Sequence, residues 1–329
     1  MRVFLAVLPA LSLLPLGGCG AQSLILGTQG EHLFAGYDVL ALPNEEVALQ
    51  ARLQGGDFLR GMPGYAVQFA RDGRPYKAAE TDKDGLARAS FAPAAPGDYL
   101  FSAALSPKGF PSSPPPPTDL LVACRKADAP LMVVDLDKTL VESGFDQVLL
   151  GSPRPMPDSP PVMNRLAQRY TVVYLTHRPD YFGPKSKAWL WSQNYPRGPV
   201  LLSDVRAFIM MGSLVNKTAA IEQLRKRFTR IEIGIGDKVS DAAAYHANGV
   251  KAFLIVQVGA AASAAALRAQ AKALDELPDG VQVVKGWDEI EKAVFQGAVF
   301  PRQRIQQELA QRAAELERKA NETQTGKKS

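Results

Sequence analysis

Hydrophobic positions follow two rhythms along the chain, and the first has a period of two. Over residues 47–53, and in several stretches up to about residue 125, apolar side chains alternate with polar or small ones. This alternation is typical of half-buried strands. The dipeptides Asp72-Gly73 and Asp84-Gly85 lie between such stretches and favour tight turns. Short strands separated by turns predict a small all-β sandwich, which we place at residues 37–125.

The second rhythm begins near residue 129, where short apolar stretches alternate with helical ones. The predicted strands read LMVVD, TVVYLT, PVLLS, IEIGIG, KAFLIVQ and VQVV. Strands that lack polar alternation are buried on both faces, so this part predicts a parallel sheet with helices on either side. We therefore expect an α/β domain at residues 129–300.

Two further segments fit neither rhythm. Pro114 to Pro117 form a run of prolines, which favours polyproline II and predicts a linker at residues 111–118. The stretch LLVAC that follows could still be a strand of the sandwich. Residues 301–329 are rich in helix formers but poor in large apolar side chains. They predict an exposed helix and a disordered tail, with a helix that contacts a membrane or partner as the alternative.

The first twenty residues, MRVFLAVLPALSLLPLGGCG, have the composition of a secretory signal. Their apolar run is interrupted by prolines and is too short for a confident membrane span. Its end, Leu16-Gly17-Gly18-Cys19, resembles the lipobox of bacterial lipoproteins. The resemblance implies a signal peptide at residues 1–18, a lipid on Cys19 and a tether at residues 19–36. Because Gly20 follows, it also implies anchoring to the outer membrane, facing the periplasm. An ordinary secretory signal with a chance cysteine is the alternative.

Composition narrows the classes of partner. The 329 residues carry a formal charge of +5, with 46% hydrophobic and 22% charged residues, as in ordinary globular proteins. The basic residues are dispersed, so we expect no nucleic-acid partner, and we interpret the basic cluster at residues 225–230 as a helix end. Of the two cysteines, Cys19 would carry lipid. Cys124 is therefore expected to be a buried free thiol in a strand.

The predicted sandwich contains the succession TDKDGLARASF and PGDYLF. It resembles the immunoglobulin-like modules of bacterial surface proteins. The resemblance implies a small immunoglobulin-like sandwich that acts as a spacer or binding module, and it implies no activity, because fold alone does not determine function.

Polar side chains follow the predicted strands of the α/β domain. Asp135 and Asp137 follow the first strand, Thr176 ends the second, and Asp237 and Asp241 follow the fourth. In parallel α/β sheets, ligands bind outside the carboxyl ends of the strands. Carboxylates gathered in such a crevice repel one another. Mg²⁺, which binds carboxylates together with substrate phosphate oxygens, would remove that cost.

Such a set of side chains can transfer a phosphoryl group. One aspartate can attack phosphorus and form an aspartyl-phosphate, while a second protonates the leaving oxygen and later activates water. A hydroxyl and a lysine can bind the phosphoryl oxygens. Lys217 opens a predicted helix and Lys238 lies beside Asp237, so either lysine could serve.

In this order the residues resemble the haloacid dehalogenase (HAD) superfamily of phosphatases, over residues 129–300. The four motifs are matched in turn by Asp135, Asp137 and Thr139, by Thr176, by Lys217, and by Gly236, Asp237 and Asp241. The resemblance implies a Rossmann-like HAD domain in which Asp135 is the nucleophile and Asp137 the general acid and base. It implies Mg²⁺ as cofactor, held by the following groups: Asp135, the Asp137 carbonyl, Asp237 and Asp241. It also implies that Thr176 and Lys217 bind the phosphoryl group. Capping of the following helix is the alternative for Asp241.

Within that superfamily, two stretches are most similar to the carboxyl-terminal domains of lipins and phosphatidylinositol-transfer proteins, the LNS2-like group. They read YLTHRPDYFGPKSKAWLWSQNYPRGPVLLSD and IGIGDKVSDAAAYHANGV. The shared features include Thr176, the nearby Arg178 and the pair Trp189-Leu190. The resemblance adds Arg178 to the residues expected to bind the substrate phosphate. The sequence departs from the group at His177, where a small residue is usual, and at Lys138, where many relatives have glycine.

The interval between the first two motifs is about thirty residues, too short for a large cap domain. An uncapped site suits a bulky substrate. We therefore expect a Mg²⁺-dependent phosphomonoester phosphatase, anchored to a bacterial membrane through Cys19, with a phosphatidate-like lipid as one candidate substrate. A lipoprotein that binds or senses phospholipid without catalysis is the alternative. A phosphatase for nucleic-acid ends is a third hypothesis.

Overall fold

The computed structural model describes residues 32–56, 59–110, 113–143, 153–203, 213–257 and 263–325. The predicted signal peptide and the lipidation of Cys19 lie outside these residues. Among the described residues, no helix combines the length and the apolar character that crossing a membrane requires.

The first part of the chain folds into two facing β-sheets. Its strands are β1 (His32–Tyr37), β2 (Val39–Ala41), β3 (Val47–Gly55), β4 (Arg60–Gly61), β5 (Ala66–Arg71), β6 (Arg74–Glu80), β7 (Leu86–Phe91), β8 (Gly97–Leu105) and β9 (Thr118–Cys124). One sheet pairs β3 with β1, β4 and β7, and the other has the order β2-β9-β8-β5-β6. The alternating apolar side chains of both sheets meet in one core, with Phe34, Leu53, Phe69 and Phe101 among them. The predicted all-β sandwich is therefore confirmed.

Its ends differ from the predicted ones. Strand β1 begins at His32, so the predicted tether at residues 19–36 overlaps a strand. The proline run leads directly into β9, which pairs with β8 and β2. The stretch LLVAC is thus a sandwich strand, the second of the two possibilities that the sequence left open. Cys124, at the end of β9, is a buried free thiol.

The second part of the chain alternates strands and helices. Its strands are β10 (Leu131–Val134), β11 (Thr171–Pro179), β12 (Val200–Ser203), β13 (Ile231–Gly236), β14 (Lys251–Ile255) and β15 (Gln282–Val284). Its helices are α1 (Ser159–Leu166), α2 (Gly183–Ser192), α3 (Ser213–Arg225), α4 (Val239–Ala247), α5 (Ala264–Ala273), α6 (Trp287–Phe295) and α7 (Arg302–Thr325). All neighbouring strands are parallel, in the order β12-β11-β10-β13-β14-β15. The predicted parallel α/β domain is confirmed.

The strand order places a crevice beside the first strand. The chain runs from β10 outward through β11 to β12, then returns to the other side of β10 and continues outward through β13, β14 and β15. The connections diverge between β10 and β13, and ligands of open α/β sheets bind at this switch point. The residues that follow β10 and β13 therefore lie at this crevice.

Helix α7 is present as predicted, but one of its faces is buried rather than exposed. Its residues Ile305, Leu309 and Ala313 are fully buried and join the core that Leu267 of α5 contributes to. These residues recur every four positions and form one apolar stripe, which an otherwise polar sequence obscures. The helix also continues to Thr325, through part of the segment predicted to be disordered.

The sandwich and the α/β domain share a core. Leu40, Leu121 and Ala123 of the sandwich belong to the same cluster of buried side chains as Leu131 and Val173 of the parallel sheet. The two parts are therefore packed together, which the prediction of a spacer module did not include.

Candidate active site

Asp135 and Asp137 lie on a turn at the carboxyl end of β10. Asp135 is buried, and its backbone N–H donates to the carbonyl of Ile235 on β13 at 3.0 Å. The chain then turns sharply, with the N–H of Leu140 donating to the carbonyl of Leu136 at 2.9 Å. Lys138 has a φ of 54°, a left-handed conformation that costs an L-residue about 1–2 kcal/mol. Glycine adopts this conformation at no such cost.

Asp237 and Asp241 approach Asp135 from the neighbouring strand. Asp237 follows β13, and Asp241 lies in the first turn of α4. Helix α4 packs closely on the sheet because Gly234 has no side chain: a Cβ there would lie 2.3 Å from the ring of Tyr245. Asp241 accepts a hydrogen bond from Lys217 at 2.6 Å, and this contact disfavours helix capping as its main role.

Lys217, on α3, is buried between two of these carboxylates. Its Nζ lies 3.0 Å from Asp135 Oδ1 and 2.6 Å from Asp241 Oδ2. Lys238 is exposed at the residue that precedes α4. Geometry therefore favours Lys217 over Lys238 as the cation of this site.

Three carboxylates converge as a divalent cation requires. One oxygen from each of Asp135, Asp237 and Asp241 can be chosen so that all lie within 4.8 Å of one another. Opposite ligands of Mg²⁺ are about 4.2 Å apart, so a small contraction would suffice. Among the described residues, Asp237 Oδ1 and Asp241 Oδ1 are buried and have no hydrogen-bond partner. Buried acceptors without partners are costly, and a cation would satisfy both. This donor set fits Mg²⁺.

The electrostatics of the cluster also favour a bound cation. Burial, followed by the charge of Asp135, raises the pKa of Asp237 to about 7. Burial also raises the pKa of Asp241, against the opposing effect of Lys217. Burial alone would lower the pKa of Lys217, but the charges of Asp135 and Asp241 outweigh it and raise that pKa. With all groups ionised, three carboxylates face one ammonium, and two negative charges are left for a divalent cation to neutralise.

Arg178 contacts Asp137 through two hydrogen bonds. Its guanidinium is buried and donates to Asp137 from Nε at 3.0 Å and from Nη2 at 2.6 Å. Its Nη1 donates to Ser186 Oγ on α2 at 2.9 Å. These contacts use three of the five N–H donors of the guanidinium, and the binding of substrate phosphate by Arg178 stays a prediction. Thr176 is buried, and its hydroxyl oxygen accepts from the Arg178 N–H at 3.2 Å. Its own hydrogen can still be donated.

His177 lies on the other side of the same strand end. Its Nδ1 is 3.2 Å from Ser203 Oγ at the end of β12. Burial, followed by the charges of Lys238 and Lys217, lowers the pKa of His177. A neutral imidazole beside the site adds no charge that would compete with a cation.

Sequence reasoning missed the residues that surround Arg178. Ser186 carries no motif of its own. Asp180 follows Arg178 in the quoted stretch THRPD, but its partners Tyr37 and Arg52 belong to the sandwich. No signal in the sequence connects segments more than a hundred residues apart, so only the tertiary structure could show this contact.

Comparisons with known proteins show which family the α/β domain is similar to. Residues 132–259 match the family model described as the LNS2 domain of PITM 1-3, a HAD-like family of the lipin and LNS2 group. No curated protein matches the chain significantly.

Two of the solved structures that are similar to part of the chain are small β domains. One is the CARDB domain of PF1109 from Pyrococcus furiosus, with 15% identity over 29% of this chain and 94% of that one, at a TM-score of 0.22. Another is the fibronectin(III)-like modules of CbhA from Clostridium thermocellum, with 15% identity over 29% of this chain and 100% of that one, at a TM-score of 0.20. Scores this low carry no argument, and the sandwich rests on its own strand pairing.

The family match covers the strands and helices that carry Asp135, Lys217, Asp237 and Asp241. The predicted likeness to the LNS2-like group is thereby confirmed for this part of the chain. Residues 132–259 form a domain similar to the LNS2 domains, a HAD-like family, with its acidic cluster at the switch point of the sheet.

Proposed function

We propose that the protein is a Mg²⁺-dependent phosphomonoester phosphatase that works through an aspartyl-phosphate on Asp135. The observation that carries the proposal is the convergence of Asp135, Asp237 and Asp241 within 4.8 Å, with Lys217 3.0 Å from Asp135. The match to a HAD-like family supports the same chemistry.

Asp135 is the nucleophile in this proposal. Its carboxylate oxygen attacks phosphorus, the bond from phosphorus to the substrate oxygen breaks, and the substrate leaves as an alcohol. The positive charge of Lys217 reduces the repulsion between the incoming phosphoryl group and the Asp135 carboxylate. The Thr176 hydroxyl donates to a phosphoryl oxygen. Water then attacks the acyl phosphate, which releases inorganic phosphate and restores the Asp135 carboxylate.

Asp137 moves the protons of both steps. It gives a proton to the leaving oxygen and later takes one from the attacking water. The two hydrogen bonds from Arg178 fix the orientation of its carboxyl group. A general acid has to lie within hydrogen-bond reach of the proton acceptor, so this orientation determines the rate of the step that it assists.

The metal would be held by Asp135, Asp237 and Asp241, with the Asp137 carbonyl as the fourth group that the family resemblance implies. Bound Mg²⁺ supplies charge neutralisation at the phosphoryl oxygens.

The substrate class that we propose is a phosphomonoester of a bulky alcohol, with a phosphatidate-like lipid first. The support is the likeness to the lipin and LNS2 group and the lipobox-like segment at Cys19. A lipid on Cys19 would hold the site at a bacterial membrane, with the outer membrane facing the periplasm as the proposed location. Tethering raises the effective concentration of a membrane substrate without any new contact.

Phosphate release tests the proposal. The full chain is assayed with phosphatidate in mixed micelles, lysophosphatidate, glycerol 3-phosphate and p-nitrophenyl phosphate, each with Mg²⁺ or with EDTA. We expect release that depends on Mg²⁺ and is reduced about a thousandfold or more by Asp135→Asn, because the nucleophile is lost. The matched control is Asp279→Asn, whose carboxylate is 96% exposed; this variant should keep its activity.

Two results would contradict the proposal in different ways. Absence of release from every substrate would reject the phosphatase function. Binding of phosphatidate vesicles that does not respond to Mg²⁺, again without release, would favour a non-catalytic phospholipid-binding protein.

A further inference from the structure

The sandwich contacts the α/β domain next to the catalytic carboxylates. Tyr37, at the end of β1, donates from its hydroxyl to Asp180 Oδ2 at 2.6 Å. Arg52 of β3 donates to the same oxygen at 3.0 Å. Arg52 is itself fixed within the sandwich, since its Nε donates to the Asp84 carbonyl at 3.0 Å. Asp180 is therefore held by two side chains from two strands of the other domain.

Asp180 is two residues from Arg178, and the residue between them is Pro179. A proline ring fixes its own φ, so one fewer backbone angle between Arg178 and Asp180 can absorb a displacement of Asp180. Asp180 is buried, and its Oδ1 has no hydrogen-bond partner among the described residues. The contacts to Tyr37 and Arg52 thus account for the described hydrogen bonds of this carboxylate.

A second contact supports the other side of Arg178. Ser186, which accepts from Arg178 Nη1, is followed by Lys187 on α2. Lys187 Nζ donates to Asp38 Oδ1 at 2.5 Å and to the carbonyl of Gly36 at 2.9 Å, both in the sandwich. Arg178 is consequently bracketed by two segments, and each is anchored to the sandwich by a buried polar contact.

We propose that the sandwich is part of the catalytic framework, with Tyr37 and Arg52 as positioning residues. They hold Asp180, Asp180 and Pro179 fix the backbone of Arg178, and the Arg178 guanidinium orients Asp137. This inference rests on the proposed phosphatase function, and it assigns to the sandwich a task other than spacing or binding.

The dependence on the leaving group tests this inference. An alkyl phosphate such as lysophosphatidate needs protonation of its leaving oxygen, whereas p-nitrophenyl phosphate has a good leaving group and needs little. For Tyr37→Phe we expect kcat/KM to fall about tenfold on the alkyl substrate and about twofold or less on the aryl one. A correctly placed general acid contributes roughly 10²- to 10⁴-fold, of which a misoriented one keeps part. A variant that is merely less folded would lose both activities equally.

Two further variants keep the test decisive. Arg52→Gln removes the other donor to Asp180 and should give the same selective loss, so the test does not depend on the folding of one variant. Glu45→Gln is the matched control. Glu45 also makes a contact between the two domains, because it accepts a hydrogen bond from Arg227, which is far along the chain from Arg178. Its alkyl-to-aryl ratio of kcat/KM should equal that of the wild type.

The outcomes separate the two proposals. A wild type that hydrolyses both substrates, with variants that lose neither activity or lose both equally, would overturn the positioning role and leave the phosphatase function intact. A wild type that hydrolyses neither substrate would overturn both.

Discussion

At the scale of single residues, the candidate site concentrates negative charge that a bound cation would neutralise. Asp135, Asp237 and Asp241 are brought together in a crevice where water is scarce, and Lys217 compensates only part of their charge. The pKa of Asp237 is raised to about 7, chiefly by burial and then by Asp135. Without metal the cluster therefore holds a proton that the unfolded chain, with an ordinary carboxyl pKa near 3.8, would release.

This raised pKa predicts how metal and pH interact. A folded state that binds more protons than the unfolded state loses stability as the pH rises, here between about 4 and 7. Mg²⁺ has to displace that proton. We therefore expect the apparent dissociation constant of Mg²⁺, taken from the rise of Tm with Mg²⁺ concentration, to be about 25-fold higher at pH 5.5 than at pH 7.5, from the Asp237 proton alone. Thermal melts in a Mg²⁺ series with an EDTA reference would measure it.

The matched variant for this experiment is Asp237→Asn. It has no titrating group at residue 237, so its response to Mg²⁺ should be weaker and should change less with pH. A wild-type response of equal size at both pH values would show that Asp237 is not protonated in the metal-free protein.

At the scale of secondary-structure elements, the geometry of the acidic cluster depends on how closely α4 approaches β13. Asp241 and Tyr245 lie four residues apart and so on the same face of α4. Tyr245 packs directly over Gly234, where no side chain intervenes. The same close packing brings Asp241 next to Lys217 and Asp135.

Adding one methyl group at this contact should disturb both packing and site. For Gly234→Ala we expect the free energy of unfolding to fall by about 2–3 kcal/mol, because the new Cβ would overlap the Tyr245 ring and α4 would have to move. Mg²⁺ binding should weaken in parallel. Urea denaturation and a Mg²⁺ titration measure the two effects.

Gly286→Ala is the control for that experiment. A Cβ at Gly286 meets nothing closer than an Asp288 oxygen at 3.5 Å, and the backbone there is extended. The expected cost is about 1 kcal/mol or less, since only a weak preference for glycine before α6 is lost. Equal costs for the two variants would argue against the proposed role of the close helix packing.

At the scale of the whole molecule, the sandwich and the α/β domain are joined by a buried polar contact as well as by shared apolar side chains. Lys187 and Asp38 are both almost fully buried. Asp38 also accepts from the backbone N–H groups of Leu121 in the sandwich and Val200 in the parallel sheet. One carboxylate thus satisfies three donors from both domains.

Replacing that carboxylate should destabilise both domains. In Asp38→Asn the amide nitrogen has to face one of three donors, and Lys187 loses its counter-charge. We expect a loss of about 3 kcal/mol or more in the free energy of unfolding, as is typical when one partner of a buried pair is removed. Denaturant unfolding followed by tryptophan fluorescence measures the α/β domain, which contains all three tryptophans of the chain.

Hydrogen exchange of β3 and β9 follows the sandwich in the same series. Coincident midpoints in the wild type, both lowered by Asp38→Asn, would confirm cooperative unfolding. Separate midpoints would show that the domains unfold independently. The control is Asp288→Asn, which removes a half-exposed ion pair with Lys292 and should hardly move either midpoint, since exposed pairs contribute little.

The sequence by itself determined the layers of this protein and the strand ends at which its acidic residues lie. Both follow from local rules, because the period of apolar positions sets strand or helix, and a strand end sets the edge of the sheet at which Asp135 and Asp237 lie. The apolar stripe of α7 is also a local pattern. It consists of only three residues, Ile305, Leu309 and Ala313, in an otherwise polar helix, and so it did not predict a buried face. What only the tertiary structure decided was the set of partners. Arg178 donates to Asp137, and Tyr37 and Arg52 donate to Asp180 from the other domain. Such contacts depend on how the strands and helices pack together and not on neighbours in the chain.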